Sequence, residues 1–203
     1  MIKGVSKKDV QLLPDRFQFF PPPTELSRQE LASRFFFLAS KSLVSDDTLV
    51  RISNYCAERL YSVLESPDHP LSLESIKTKI LNFFRATCHS ACLILSEFIF
   101  AVSLIDKLIS QDLSNRAAGK PTIIRESNVG TLLLCGIIIS LKFNRDIPFT
   151  TSWWSAHIGV PVSIINQSEL TFLISIHFDI VLDKITYWNL FSTFARAHCC
   201  PPL

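Results

Sequence analysis

The sequence predicts an all-α fold, and three observations carry that prediction. From Val129 to Leu141 the chain holds no charge, while Arg125-Glu126 before it and Lys142 with Arg145-Asp146 after it close it off. A strand runs about 4–8 residues, so an uninterrupted apolar stretch of roughly fifteen reads as a helix despite its triple isoleucine. The chain has 5 glycines in 203 residues, roughly a third of the usual share, which disfavours a turn-rich β fold. Elsewhere apolar residues recur three and four positions apart behind Ser, Thr and Asp, the pattern of capped amphipathic helices.

The stretch Asn128 to Phe143 organises the rest. A helix apolar on every side cannot lie on a surface and must be the central rod of a bundle. Gly136 inside it should cost about 1 kcal/mol against alanine; with Gly130, Cys135 and Ser140 it offers neighbouring helices a close approach. Lys142 emerges at its end.

Composition sets the bounds. Hydrophobic residues make up 48% and charged residues 19%, enough for a real core in one medium domain, or one domain with extensions. The net charge of +2 is carried by interspersed residues without a basic run, so nucleic acid is not expected as a partner. Six cysteines show no C-x-x-C pair, and the amino terminus has no apolar signal segment. Both favour an intracellular chain, in cytoplasm or nucleus, with free thiols. The second apolar run, Ala91 to Ile105, holds Glu97 in its middle and falls short of about 18 residues, so no membrane association is expected.

Residues 1–23 read as a flexible or strap-like tail, with Phe17, Phe19 and Phe20 ahead of Pro21-Pro22-Pro23. Those three phenylalanines suit either a strap on the bundle or a partner-binding segment. Residues 24–66 read as N-terminal helices. Thr24 or Ser27 caps the first, which runs to about Ser42, and Ser27 with Glu30 fits a capping box. Asp46 or Asp47 caps the second, which runs through Leu64 with Leu49, Ile52, Cys56, Leu60 and Val63 on one stripe, before Ser66-Pro67-Asp68-His69-Pro70 ends it. Ser72 opens a helix whose core face is Leu73, Ile76, Ile80, Phe83 and Phe84.

A break is expected at Thr87 to Ser90, then a largely buried helix from Ala91 to Leu108, then a surface loop from Gln111 to Thr122. Past the central rod, Thr151 or Ser152 caps a short helix that Gly159 ends. Pro161 starts a helix to about His177, and Asp183 caps a last one. About eight helices follow one another.

A catalytic constellation is absent from the sequence patterns: there is no phosphate-binding glycine loop, no G-x-S-x-G and no H-E-x-x-H. Cys88 and Cys92 stand four apart, but no further ligands are suitably spaced, so they read as buried structural thiols and no metal or cofactor is expected. His157 and His177 read as helix-end histidines. The terminal C-P-P-L fits a prenylation pattern only formally, since two prolines occupy its aliphatic positions. Asn166-Gln167-Ser168 matches the glycosylation sequon within a predicted helix.

What is specific is an order of motifs: L-I-D-K-L from Leu104, a polar loop, S-L-K-F-N-R-D at the end of the rod, W-S-A-H-I-G-V-P, then S-E-L-T-F-L-I-S-I-H-F-D-I. Over residues 72–182 this resembles the cyclin box, most closely that of the P-type, phosphate-response cyclins. S-I-K-T-K-I-L-N-F-F-R resembles the first box helix. The resemblance implies a single five-helix box with a central third helix, extra N-terminal helices before it, and one C-terminal helix with its tail in 183–203. It further implies a regulatory subunit, not an enzyme, that binds and activates a cyclin-dependent protein kinase in cell-cycle or phosphate-response signalling; the alternative is a helical adaptor that keeps the fold without activating a kinase.

The resemblance also assigns residues. Lys142 matches the lysine that hydrogen-bonds kinase backbone carbonyls, and Glu169 the acidic residue on the fifth helix facing the same segment. Phe143, Ile147, Phe149, Leu170 and Leu173 match apolar interface positions. Arg85 and Asp106 match an ion pair between the first and second box helices. By itself a helix-end lysine reads as one whose stem lies on apolar surface with its charge in water. The chain departs from the family at Asn144-Arg145-Asp146, which stands for a more acidic run, and at Ile158-Gly159-Val160, with one glycine where two are frequent. It lacks the M-R-x-x-L docking signature, and too few residues follow Asp183 for a second box.

Overall fold

The computed structural model describes residues 44–64 and 72–195. The expected tail, the expected helix of residues 24–42 and the terminal cysteines lie outside them. Among the described residues there are seven α-helices and no strand: α1 (Asp46–Tyr61), α2 (Leu73–Ala91), α3 (Leu95–Ala117), α4 (Val129–Asn144), α5 (Thr151–Ile158), α6 (Val162–Ser175) and α7 (Lys184–Ala195), with a 3₁₀ turn at Glu126–Asn128.

α4 is the rod. Every residue from Leu132 to Leu141 is buried, with α3 and α6 packed along it. Glu126–Asn144 is long and apolar enough to cross a membrane; in this fold its apolar middle is the core of a helical bundle. Gly136 serves close approach as expected: a Cβ there would stand 3.4 Å from the Ala101 carbonyl oxygen and from Ile105 on α3. Gly130 faces open space. The Ser140 hydroxyl donates across the same seam to the Glu97 carbonyl at 2.7 Å. α1 packs on α2 and α3, α7 lies against α1 and α3, and α5 packs on α6.

Local chemistry moved several boundaries. α1 is capped by Ser45, whose hydroxyl accepts from the Thr48 N–H at 3.3 Å. Asp46 and Asp47 occupy the first turn instead, where the helix dipole favours them. The break expected at Thr87 to Ser90 does not form. Thr87 and Cys88 are buried, and the Thr87 hydroxyl donates back to the Phe83 carbonyl at 2.7 Å rather than capping a new helix. α2 therefore runs on to Cys92, which ends it in the left-handed region at φ 50°.

The loop expected from Gln111 is helical as far as Ala117. Asp112 is the reason. It is fully buried, pairs with Arg116 one turn later at 2.8 Å, and accepts from the N–H groups of Ile123 and Ile124. A buried carboxylate needs such partners, and only a helix through Arg116 supplies the first. Thr150, not Thr151 or Ser152, caps α5. Gly159 ends it at φ 75°, and Asp183 caps α7 by accepting from the Ile185 and Thr186 N–H groups, both as expected.

The two rod glycines make a paired test. Gly130→Ala should raise the melting temperature, by about 1 kcal/mol of stability gained from helix propensity. Gly136→Leu should lower it, by about 1–3 kcal/mol of overpacking against α3. Thermal unfolding followed by circular dichroism reads both.

Candidate functional site

The buried rod ends in charge. Lys142 is the first residue after the buried run of α4, and its ammonium meets both Glu169 oxygens, at 2.7 and 2.8 Å. Glu169 projects from α6, with 12% of its side chain exposed against 37% for Lys142. A carboxylate so nearly dry requires a countercharge, and the rod's last turn is placed to provide it. Two turns back on α4, the Cys135 thiol is pushed up to about 12, chiefly by burial and further by Glu169. The two residues assigned from sequence to one functional position are thus in direct contact.

The apolar candidates divide. Phe143 is 56% exposed, Ile147 72% and Leu170 52%; Phe143 also stacks on Phe100 of α3, with centroids 4.8 Å apart. Phe149 and Leu173 are half-buried and pack on the core. Phe149 stacks on Trp153 at 4.1 Å, so it anchors the α4–α5 loop while Ile147 stands out from it. Ile174, one turn beyond Leu170 on α6, is exposed and was not among the candidates; the four-residue spacing from Leu170 is the signal that points to it.

A second ion pair lies just beyond Lys142. Arg145 donates to Glu97 through Nε at 2.5 Å and Nη2 at 2.7 Å. It also donates to the carbonyls of Ala91 at 3.1 Å and Cys92 at 3.0 Å. Glu97 is buried in the first turn of α3 and accepts as well from the Ile94 N–H at 3.0 Å. The sequence carried a hint in the lone glutamate of an apolar run, since a buried carboxylate needs a cation. Of the three residues that stand for the family's acidic run, Arg145 therefore turns inward, while Asn144 and Asp146 are exposed.

The expected Arg85–Asp106 pair does not form. Arg85 binds Asp46 of α1 through two bonds, at 2.7 and 2.6 Å. Asp106 instead accepts from the Tyr55 hydroxyl at 2.7 Å and from Arg59 at 2.9 Å. The cause is packing: α1 packs against both α2 and α3, so each charge meets α1. Burial and the bond to Asp106 push the Tyr55 phenol well above its ordinary value. Cys88 is buried and Cys92 half-exposed. Among the described residues, no three His, Cys, Asp or Glu side chains gather to hold a metal.

The described residues thus form an all-helical bundle around one apolar rod, with a charged and apolar face where the rod emerges. The family model for Cyclin matches residues 39–180, and the chain belongs to the cyclin family, whose members are regulatory rather than catalytic subunits. No curated protein and no solved structure matches it. The matched span takes in α1 to α6, with α4 as the buried rod among them, and α7 follows it.

The exchanged ion pairs can be told apart by mutation. Asp106→Asn should lower the melting temperature clearly, because Tyr55 and Arg59 both lose their charged acceptor. Arg85→Ala should leave it nearly unchanged in moderate salt, as expected of an exposed pair. Acid should act on the exposed pairs with a fixed sign. The Arg85 guanidinium holds the Asp46 carboxyl below its ordinary value, and Lys107 does the same for Asp179. Their stabilising contribution is complete above the usual carboxylate range and lost as pH falls through the lowered values. Asp179→Asn should flatten that part of a melting-temperature profile taken downward from about pH 5.

Proposed function

We propose that this chain binds a cyclin-dependent protein kinase and activates it, using the face around Lys142 and Glu169. The observation that carries the reading is their contact at the end of the rod, flanked by exposed Phe143, Ile147 and Leu170. An ammonium has three donors, so Lys142 can keep Glu169 and still donate to a backbone carbonyl of a partner. Exposed apolar side chains beside a fixed charge pair suit an amphipathic helix, with burial supplying affinity and the charges fixing register. A partner that binds the active kinase conformation better than the inactive one activates it by population shift. The motif order further supports the P-type subclass and a role in cell-cycle or phosphate-response signalling, and the free thiols support an intracellular location.

Co-purification followed by mass spectrometry should recover a cyclin-dependent kinase with this chain. Recovery of only non-kinase partners would favour a helical adaptor. The double variant Lys142→Ala/Glu169→Ala removes both charges together, so neither is left buried alone. It should keep the helical circular-dichroism signal while kinase activation is abolished, because the charges that fix the partner's register are gone. Wild-type activation by that variant would overturn the assignment of this face.

A further inference from the structure

Arg145 is the side chain on which the geometry of the rod's end converges. It is the residue that ends α4, and its backbone N–H donates to the Leu141 carbonyl at 3.0 Å, one residue before Lys142. Its guanidinium reaches three other places at once: the last residue of α2 and its cap through the Ala91 and Cys92 carbonyls, the first turn of α3 through Glu97, and the α4–α5 loop through Phe149, whose ring centre lies 5.8 Å away.

The last carbonyls of a helix have no partner within it, and Glu97 is buried. One planar fork with five donors satisfies both, which a lysine's ammonium cannot do in the same geometry. The burial that holds the rod lies upstream, from Leu132 to Leu141. The guanidinium therefore fixes the rod's end rather than its middle.

We propose that Arg145 is a positioning residue for kinase engagement: held by Glu97 and the α2 carbonyls, it sets the last turn of α4, so that Lys142, Phe143 and Ile147 are presented in one register. The inference rests on the kinase-binding reading above, and adds that Arg145, within the chain's departure from the family's acidic run, is the device that presents the face. Phe149, stacked on Trp153 at 4.1 Å, pins the far side of the loop, which leaves Ile147 between two fixed points.

The test uses Arg145→Lys in the full chain, with Glu97→Gln as a second variant of unchanged shape in case the first does not fold. Two quantities are measured: affinity for the kinase recovered with the wild-type chain, and the rate at which an amine-reactive acylating reagent modifies Lys142 and Lys107, read by mass spectrometry. Lys107 is the internal reference because it is also ion-paired, to Asp179 at 2.8 Å, and similarly exposed. Lys142 should be acylated several-fold faster with Lys107 unchanged, and kinase binding should weaken about tenfold, mostly through faster dissociation.

Equal acceleration at both lysines would mean general loosening and would overturn the inference, as would unchanged kinase affinity. A wild-type chain that recovers no kinase overturns the kinase reading itself. The acylation ratio then still decides whether Arg145 positions Lys142.

Discussion

The constraint on which everything else depends is the burial of α4 on all sides. A helix with no charge between Val129 and Leu141 has no face to give to water, so the chain must supply neighbours around it. α3 comes closest, through the gap left by Gly136, and α6 lies along it. Such burial costs nothing while the helix stays apolar, but the rod has to end. Its first charge, Lys142, falls at the boundary between core and solvent. The position of the site is thus a consequence of where the hydrophobic run stops, and α6 places Glu169 at that stop.

Two dry carboxylates inside the bundle each take a cation together with backbone donors. Glu97 has Arg145 and the Ile94 N–H; Asp112 has Arg116 and the N–H groups of Ile123 and Ile124. Both sit where a helix meets a loop, so they stabilise less by Coulomb attraction than by satisfying backbone groups that a helix end or loop leaves open. Glu169 differs. Its cation is Lys142, whose side chain is more than a third exposed. That asymmetry separates a pair open to solvent from pairs closed within the fold.

The architecture was legible because hydrophobic period and length are properties of local sequence. The rod, the core faces of α1 and α2, the Gly159 ending and the Asp183 cap were all readable from spacing alone. Boundaries failed where a tertiary contact overrode a local signal. Thr87 to Ser90 resembled a break because small polar residues favour caps, yet burial of Thr87 and Cys88 kept α2 going. Gln111 to Ala117 resembled a loop because it is polar, yet Asp112 is polar on the inside. The Arg85–Asp106 pairing failed for a similar reason: it assumed that the two helices bearing those residues face each other, and α1 meets both charges instead. Lys142 and Glu169 were identified only through family resemblance, since one helix-end lysine and one helical glutamate look like any surface pair in sequence.

The pairing of Lys142 with Glu169 in the unbound chain limits what the pair can contribute to affinity. Two charges already in contact gain little Coulomb energy when a partner arrives, and each loses some remaining water. Their value must lie elsewhere. Lys142 is held by both carboxylate oxygens and its helix end is fixed by Arg145, so its free donor points in a defined direction before any partner binds. The ordering entropy of a long side chain, about 0.5–1.5 kcal/mol, has been met largely within the fold. In the proposed kinase complex, affinity then has to come from burying Phe143, Ile147 and Leu170, and the ion pair decides in which register the kinase is allowed to bury them. Phe143 joins both roles, since its ring is stacked on Phe100 and still more than half exposed.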